Sequence, residues 1–237
     1  MKKKWDITLY EGVLPDWMTT VLWELYARRI LQLIMPDVYG GLDKRGKPDL
    51  IDVSASHGVE VTWSREKDAF KAESLYAKLQ YCQTETEKRK SIEEIEDTGA
   101  CYVEGTLILP AAKDGISQIM LAYERKLKKL NAGQYDKVKT CDLYIQSDDL
   151  IDSDGAREAL ESFIGKAVEY DRGFGRVIVS TPGMNYVFDL RCRTVKSFPL
   201  DFQKQCEIAD AAREEVLMLY GYIDGEADCQ LGIKGER

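Results

Sequence analysis

From Leu14 to Met35 apolar residues fall on nearly every side of a helix, with Asp16 placed as N-cap and Pro36 closing the run, so a buried helix is predicted. Gly, Pro and charge cluster over 40–48 and mark an exposed connection. Two short β-rich runs, 49–54 and 59–63, joined through Ala55, Ser56, His57 and Gly58, predict a hairpin. Beyond Ser64, read as a cap, Ala72, Leu75, Tyr76 and Leu79 recur at helical spacing. Residues 84–97 hold six acids, three bases and two isoleucines, the composition of a solvated helical excursion. A strand is predicted over 105–110 and a helix over 114–131, where Ile116, Ile119, Met120, Tyr123 and Leu127 share a face. A buried strand at 141–146 precedes a helix over 153–170, capped by Ser153 or Asp154. Two neighbouring strands flank Pro182-Gly183, and an amphipathic helix over 202–220 ends at Gly221.

Helices and strands alternate, and the strands are apolar at most positions, which requires a sheet covered on both faces. The expected fold is α/β, a three-layer αβα arrangement around a central mixed sheet, with an added C-terminal hairpin and helix. One domain is expected over 1–223, interrupted by a helical excursion near 83–112, with a loose tail over 224–237.

Composition narrows the chemistry. A chain of 237 residues with 44% hydrophobic and 31% charged residues can bury a substantial core and is neither disordered nor low-complexity. A net charge of −8 excludes a general basic coat for nucleic acid. The single histidine, His57, removes multi-histidine metal sites and most catalytic triads. The N-terminal MKKKWDITLYEGVLPDW lacks the apolar run of about 7–15 residues that export requires. No uncharged apolar stretch reaches the roughly 18 residues of a membrane span, so a cytoplasmic protein with no membrane partner is expected. Six cysteines without a C-x-x-C pair predict reduced, mostly buried thiols. Carboxylates remain as the agents of any catalysis.

They concentrate in KPDLIDVSASHGVEVTWS, residues 47–64, where Pro48-Asp49 is followed after ten residues by Glu60-Val61-Thr62. This segment resembles the PD-(D/E)xK phosphodiesterases, the superfamily of restriction-endonuclease-like fold. The resemblance spans roughly 17–147 and implies hydrolysis of DNA or RNA with Mg²⁺ or Mn²⁺. It implies Asp49, Glu60 and the Val61 carbonyl as metal ligands, with Glu24 of the first helix completing the set. Thr62 stands where the family has its lysine; Lys71, among Lys67, Lys71 and Lys78 of the following helix, is the expected substitute in catalysis. The family's usual first strand is not visible in 36–47.

The pairing also has a physical basis. Mg²⁺ takes hard oxygen ligands and keeps several waters, so two converging carboxylates suffice to hold it beside a phosphate. It then polarises the phosphoryl oxygen and acidifies a water. Register decides which aspartate joins Glu60. With Ile51 opposite Glu60, Asp49, Glu60 and Thr62 share one face; with Asp52 opposite Glu60, Asp52 replaces Asp49. The first is preferred because it leaves Val59, Val61 and Trp63 together for the core. Convergence of Asp49, Glu60 and Glu24 favours a nuclease, whereas their capture by Arg28 or Arg29 favours a non-catalytic interaction module on the same scaffold.

Nucleic acid has one local candidate surface. Arg125, Lys126, Lys128, Lys129, Lys137 and Lys139 share 125–139 with a single acid, Asp136. Such a patch contacts phosphates, or else forms a solvated helix end suited to the macrodipole. Asp152-Ser153-Asp154-Gly155 lacks the first ligand of a calcium loop and reads as a cap. Gly173-Phe174-Gly175 reads as a turn, and His57 as an ordinary loop histidine.

Overall fold

The computed structural model describes residues 14–79, 81–109, 115–135 and 138–222. The first helix, α1 (Asp16–Ile34), leads into a single-turn α2 (Pro36–Tyr39), so Pro36 opens a helix besides ending one. Pro15, not Asp16, holds the N-cap position. A meander follows: β1 (Asp43–Lys44), β2 (Leu50–Asp52) and β3 (His57–Ser64). Next come α3 (Lys67–Leu79), α4 (Glu85–Glu96), a ribbon of β4 (Cys101–Val103) and β5 (Thr106–Ile108), and α5 (Gly115–Asn131). The chain then runs through β6 (Thr140–Ser147), α6 (Ser153–Ala167), β7 (Arg176–Thr181), β8 (Met184–Asp189), β9 (Thr194–Pro199) and α7 (Phe202–Leu219).

Seven strands form one mixed sheet in the order β1-β2-β3-β6-β7-β8-β9. β3, β6 and β7 are parallel, and both ends are antiparallel. The parallel centre follows from strands apolar on both sides: β6 and β7 are buried almost throughout. Leu143 and Ile145 face α5 and α6, packing with Tyr123, Leu127, Ala159 and Phe163. Tyr144 points the other way, into a core made with Met18, Leu25 and Ile30 of α1 and Ile208, Ala212 and Val216 of α7. Two helical layers thus enclose the sheet, as the pattern predicts. None of the described helices is long and apolar enough to cross a membrane.

Several local expectations are corrected. Ser64 belongs to β3 and donates to the Gln146 carbonyl at 3.3 Å, too early to cap α3. Asp152 caps α6, accepting from the Gly155 N–H at 2.7 Å, in place of Ser153 or Asp154. The 105–110 run pairs only with β4, outside the main sheet. The 83–112 excursion holds α4, begun by a Thr84/Glu87 capping box, and the β4–β5 ribbon. β9 escapes the pattern because it is a mostly exposed edge strand, Lys196 included. Five described cysteines are unpaired and only Cys141 is buried, so the thiols are not mostly buried. Cys229 and the tail 224–237 lie outside the described residues.

Candidate functional site

β2 covers only the first residues of β3: Leu50 pairs with Val59, Ile51 with Gly58 and Asp52 with His57. From Glu60 onward β3 has β6 on one side and, among the described residues, no strand on the other. A cavity of about 580 Å³ opens along that edge, bounded by α1, β3 and α3. The register sits two residues from the expected one. A shift of two preserves the face, so Asp49 lies on the face of Glu60 as anticipated, but the register brings it across from Glu60 and not from Thr62. Asp49 is delivered by close packing: a Cβ on Gly58 would stand 2.3 Å from Cγ of Pro48, so only glycine admits that ring against β3.

Val61 turns its backbone to the open edge and both its groups are engaged. Its N–H donates to Asp49 Oδ2 at 2.8 Å, and its carbonyl accepts from Lys126 Nζ at 3.1 Å. Lys126, reaching over from α5, also donates to Glu60 Oε1 at 2.5 Å. The side chains of Lys126 and Glu60 are only 11% and 7% exposed. Glu24 of α1 lines the same cavity as Asp49 and meets Lys44 of β1 at 2.5 Å. Burial first, then the charge of Glu60, raises the Asp49 carboxyl to about 7, against the lowering effect of the Val61 N–H; Glu24 adds to the rise. Two carboxylates crowd Asp49, each with its own lysine, Lys126 on Glu60 and Lys44 on Glu24.

Glu60 Oε2 and the Tyr135 hydroxyl are both buried without a hydrogen-bond partner among the described residues. Burial, and after it the charge of Glu60, holds the Tyr135 phenol well above its ordinary range. Thr62 accepts from an Arg125 guanidinium N–H at 3.0 Å. Consecutive residues of α5, Arg125 and Lys126, therefore converge on β3 where the resemblance places one lysine.

The other sequence-predicted residues are dispersed. Lys67, Lys71 and Lys78 are exposed on α3 and line no part of the cavity, so the structure does not bring Lys71 together with Asp49 and Glu60. Lys126 points inward and does not join a phosphate-contacting face, whereas Arg125 and Lys128 are exposed and Lys129 is half-buried. Lys128 pairs with Glu124 at 3.0 Å. Lys137 and Asp136 lie outside the described residues. Arg28 and Arg29 bind Glu215 at 2.8 and 2.9 Å, not Glu24. His57 is no loop residue: it opens β3 and meets Asp142 at 2.9 Å, within a buried group completed by Tyr39 and Arg176 at the far end of the strand.

Asp52, the reserve ligand, closes the hairpin instead. Its Oδ1 accepts from Ser54 N–H, Ser54 hydroxyl and Ala55 N–H at 2.9, 2.6 and 3.1 Å, and the Ser54 hydroxyl leads in lowering its pKa. Asp52→Ala is expected to loosen this turn, seen as faster amide exchange at Ser54 and Ala55. Any divalent-ion affinity measured for the wild type should be unchanged, and a loss of that affinity would return Asp52 to the ligand set.

Among the described residues, no three His, Cys, Asp or Glu side chains form a ready metal cage. The donor set nevertheless suits a hard cation: the Glu60 oxygen without a hydrogen-bond partner, a main-chain carbonyl, and the Asp49 carboxyl, raised by burial and by the charge of Glu60. The Lys126 ammonium sits on two of the oxygens that such an ion would use. No protein-family model matches the chain, and neither curated proteins nor solved structures give a match.

Proposed function

We propose that this protein is a metal-dependent phosphodiesterase of restriction-endonuclease-like architecture that hydrolyses DNA or RNA. The observation that carries the reading is the meeting of Asp49, Glu60, the Val61 carbonyl and Lys126 at the uncovered edge of β3, inside a cavity. The element order supports it in part: α1 and the single-turn α2, the antiparallel β1, β2 and β3, then α3, with β6 returning parallel to β3 after α4, the β4–β5 ribbon and α5. The two-residue β1 precedes the hairpin, where the resemblance would have a first strand.

Asp49 and Glu60, with Glu24 beside them, would hold Mg²⁺ or Mn²⁺, which when bound supplies Lewis acidity and a more acidic water. Lys126 carries the positive charge that Thr62 lacks and places it against the carbonyl between the two carboxylates. Thr62 fixes the Arg125 guanidinium one residue further along β3, and so presents a second cation to a phosphate. Val61 N–H orients Asp49.

A second reading, the non-catalytic interaction module, is favoured by one feature: Glu60 and Glu24 are each already paired with a lysine. One experiment separates the two. Labelled single- and double-stranded DNA and RNA are incubated with wild type and Glu60→Gln in Mg²⁺ or Mn²⁺, with EDTA controls. Metal-dependent cleavage by the wild type, reduced in Glu60→Gln to the EDTA level, is expected. Equal cleavage by both removes Glu60 from the mechanism, and none by either on the whole panel leaves the interaction module.

A further inference from the structure

The cavity along β3 has two unlike walls. One carries Glu24, Asp49 and Lys126; the other carries Trp23, Trp63 and Phe70. Phosphodiester chemistry explains the first wall and has no use for the second. Trp23 and Trp63 meet edge to face with centroids 4.2 Å apart, and the Arg65 guanidinium lies 3.7 Å over Trp63. Arg65 is itself held by Glu73 and Asp148, so these rings are fixed before any ligand arrives. Phe70, early in α3, is 59% exposed although it lines the cavity. It adds an exposed ring to the cavity that the Trp23–Trp63 pair also lines.

Size and charge together select the occupant. About 580 Å³ lies within the roughly 300–1,000 Å³ of small-ligand sites, room for one nucleotide and none for a duplex. Phosphate attraction, the usual source of affinity for duplexes, is weak here. The chain carries −8, Lys126 is buried on Glu60 and Lys128 is paired with Glu124, so beside the cavity Arg125, held by Thr62, is left as the cation for a single phosphate. Stacking on an aromatic ring needs no net positive charge and accepts any base. A base inside a duplex has both faces covered, so only an unstacked base can use such a wall.

We propose that the aromatic wall is a subsite for one unstacked nucleobase, which makes the substrate a single strand or a frayed end. This rests on the phosphodiesterase reading for the neighbouring carboxylates, but its test does not require cleavage. A short end-labelled single strand with neutral methylphosphonate linkages is titrated without divalent ions and followed by fluorescence anisotropy. The strand should bind, and its abasic counterpart should bind about tenfold more weakly or worse. Phe70→Ala, at an exposed position and with folding verified by circular dichroism, should weaken the base-containing strand by a similar factor. Annealing the strand to its complement should abolish binding. Equal affinity for the abasic strand, undiminished affinity for the duplex, or no binding at all overturns the subsite. Base-dependent binding without cleavage in the metal assay keeps the subsite and removes the phosphodiesterase; cleavage without base dependence does the reverse.

Discussion

Lys126→Met is expected to destabilise the protein by about 3–5 kcal/mol, a large share of the roughly 5–15 kcal/mol that holds a domain folded. Methionine keeps the length and apolar stem of the lysine, so packing is nearly conserved and the change isolates the charge. What it leaves behind is Glu60, 5% exposed, with one oxygen already without a hydrogen-bond partner and Asp49 across from it. An uncompensated buried carboxylate is costly, whereas a neutral pair in its place is tolerated. Lys126→Met/Glu60→Gln should therefore be more stable than the sum of the single changes, by at least 1 kcal/mol in a double-mutant cycle read from urea midpoints. Millimolar Mn²⁺ should raise the midpoint of Lys126→Met more than that of the wild type, because an ion bound only by the folded state stabilises it. The same addition should do nothing for the double variant. A Lys126→Met midpoint within error of the wild type would show that water, not the ammonium, satisfies Glu60.

Why Lys126 escapes a reading for site residues while Glu24 does not is a matter of what each interrupts. Glu24 is the only acid between Trp17 and Met35 and stands out in an apolar helix. Lys126 sits in a basic run, where composition reads it as surface. Yet helical period places it on the buried stripe of α5 with Ile119, Tyr123, Leu127 and Leu130, and that conflict was a usable signal. Its partner Glu60 is 66 residues away, a distance over which no spacing rule operates. Alternation along the hairpin gave the right face for Asp49 and the wrong register, because faces repeat every two residues whereas register depends on where the turn closes. Asp52 settles that turn by binding Ser54 and Ala55, so β3 begins at His57, two residues before the predicted start. The two residues of β1 carry too little pattern to be read, and β9 is too polar. The buried parallel centre was legible because its strands are apolar nearly throughout.

Asp49→Asn should make the protein more stable than the wild type at about pH 8 and no more stable near pH 4, reversing the usual expectation for a change in a candidate active site. Asp49 is raised from 3.8 to about 7, by burial first and by Glu60 next. Between those values the folded state keeps a proton that the unfolded chain has lost, so stability falls as pH rises from about 4 to 7 and then levels off. The loss is on the order of 2–4 kcal/mol, the lower end reflecting water that reaches a cavity-lining carboxyl. Asparagine keeps an oxygen to accept the Val61 N–H and carries no charge at any pH, so it escapes that loss. The quantity to measure is the difference between the two proteins' unfolding free energies at each pH, in which the titration of other groups largely cancels. Mg²⁺ favours the ionised carboxyl and should move the wild-type decline to lower pH, narrowing the gap near pH 8; Asp49→Asn should not respond. A difference that stays level from about pH 4 to 8 would make Asp49 an ordinary solvated carboxylate, with no electrostatic strain for a cation to relieve.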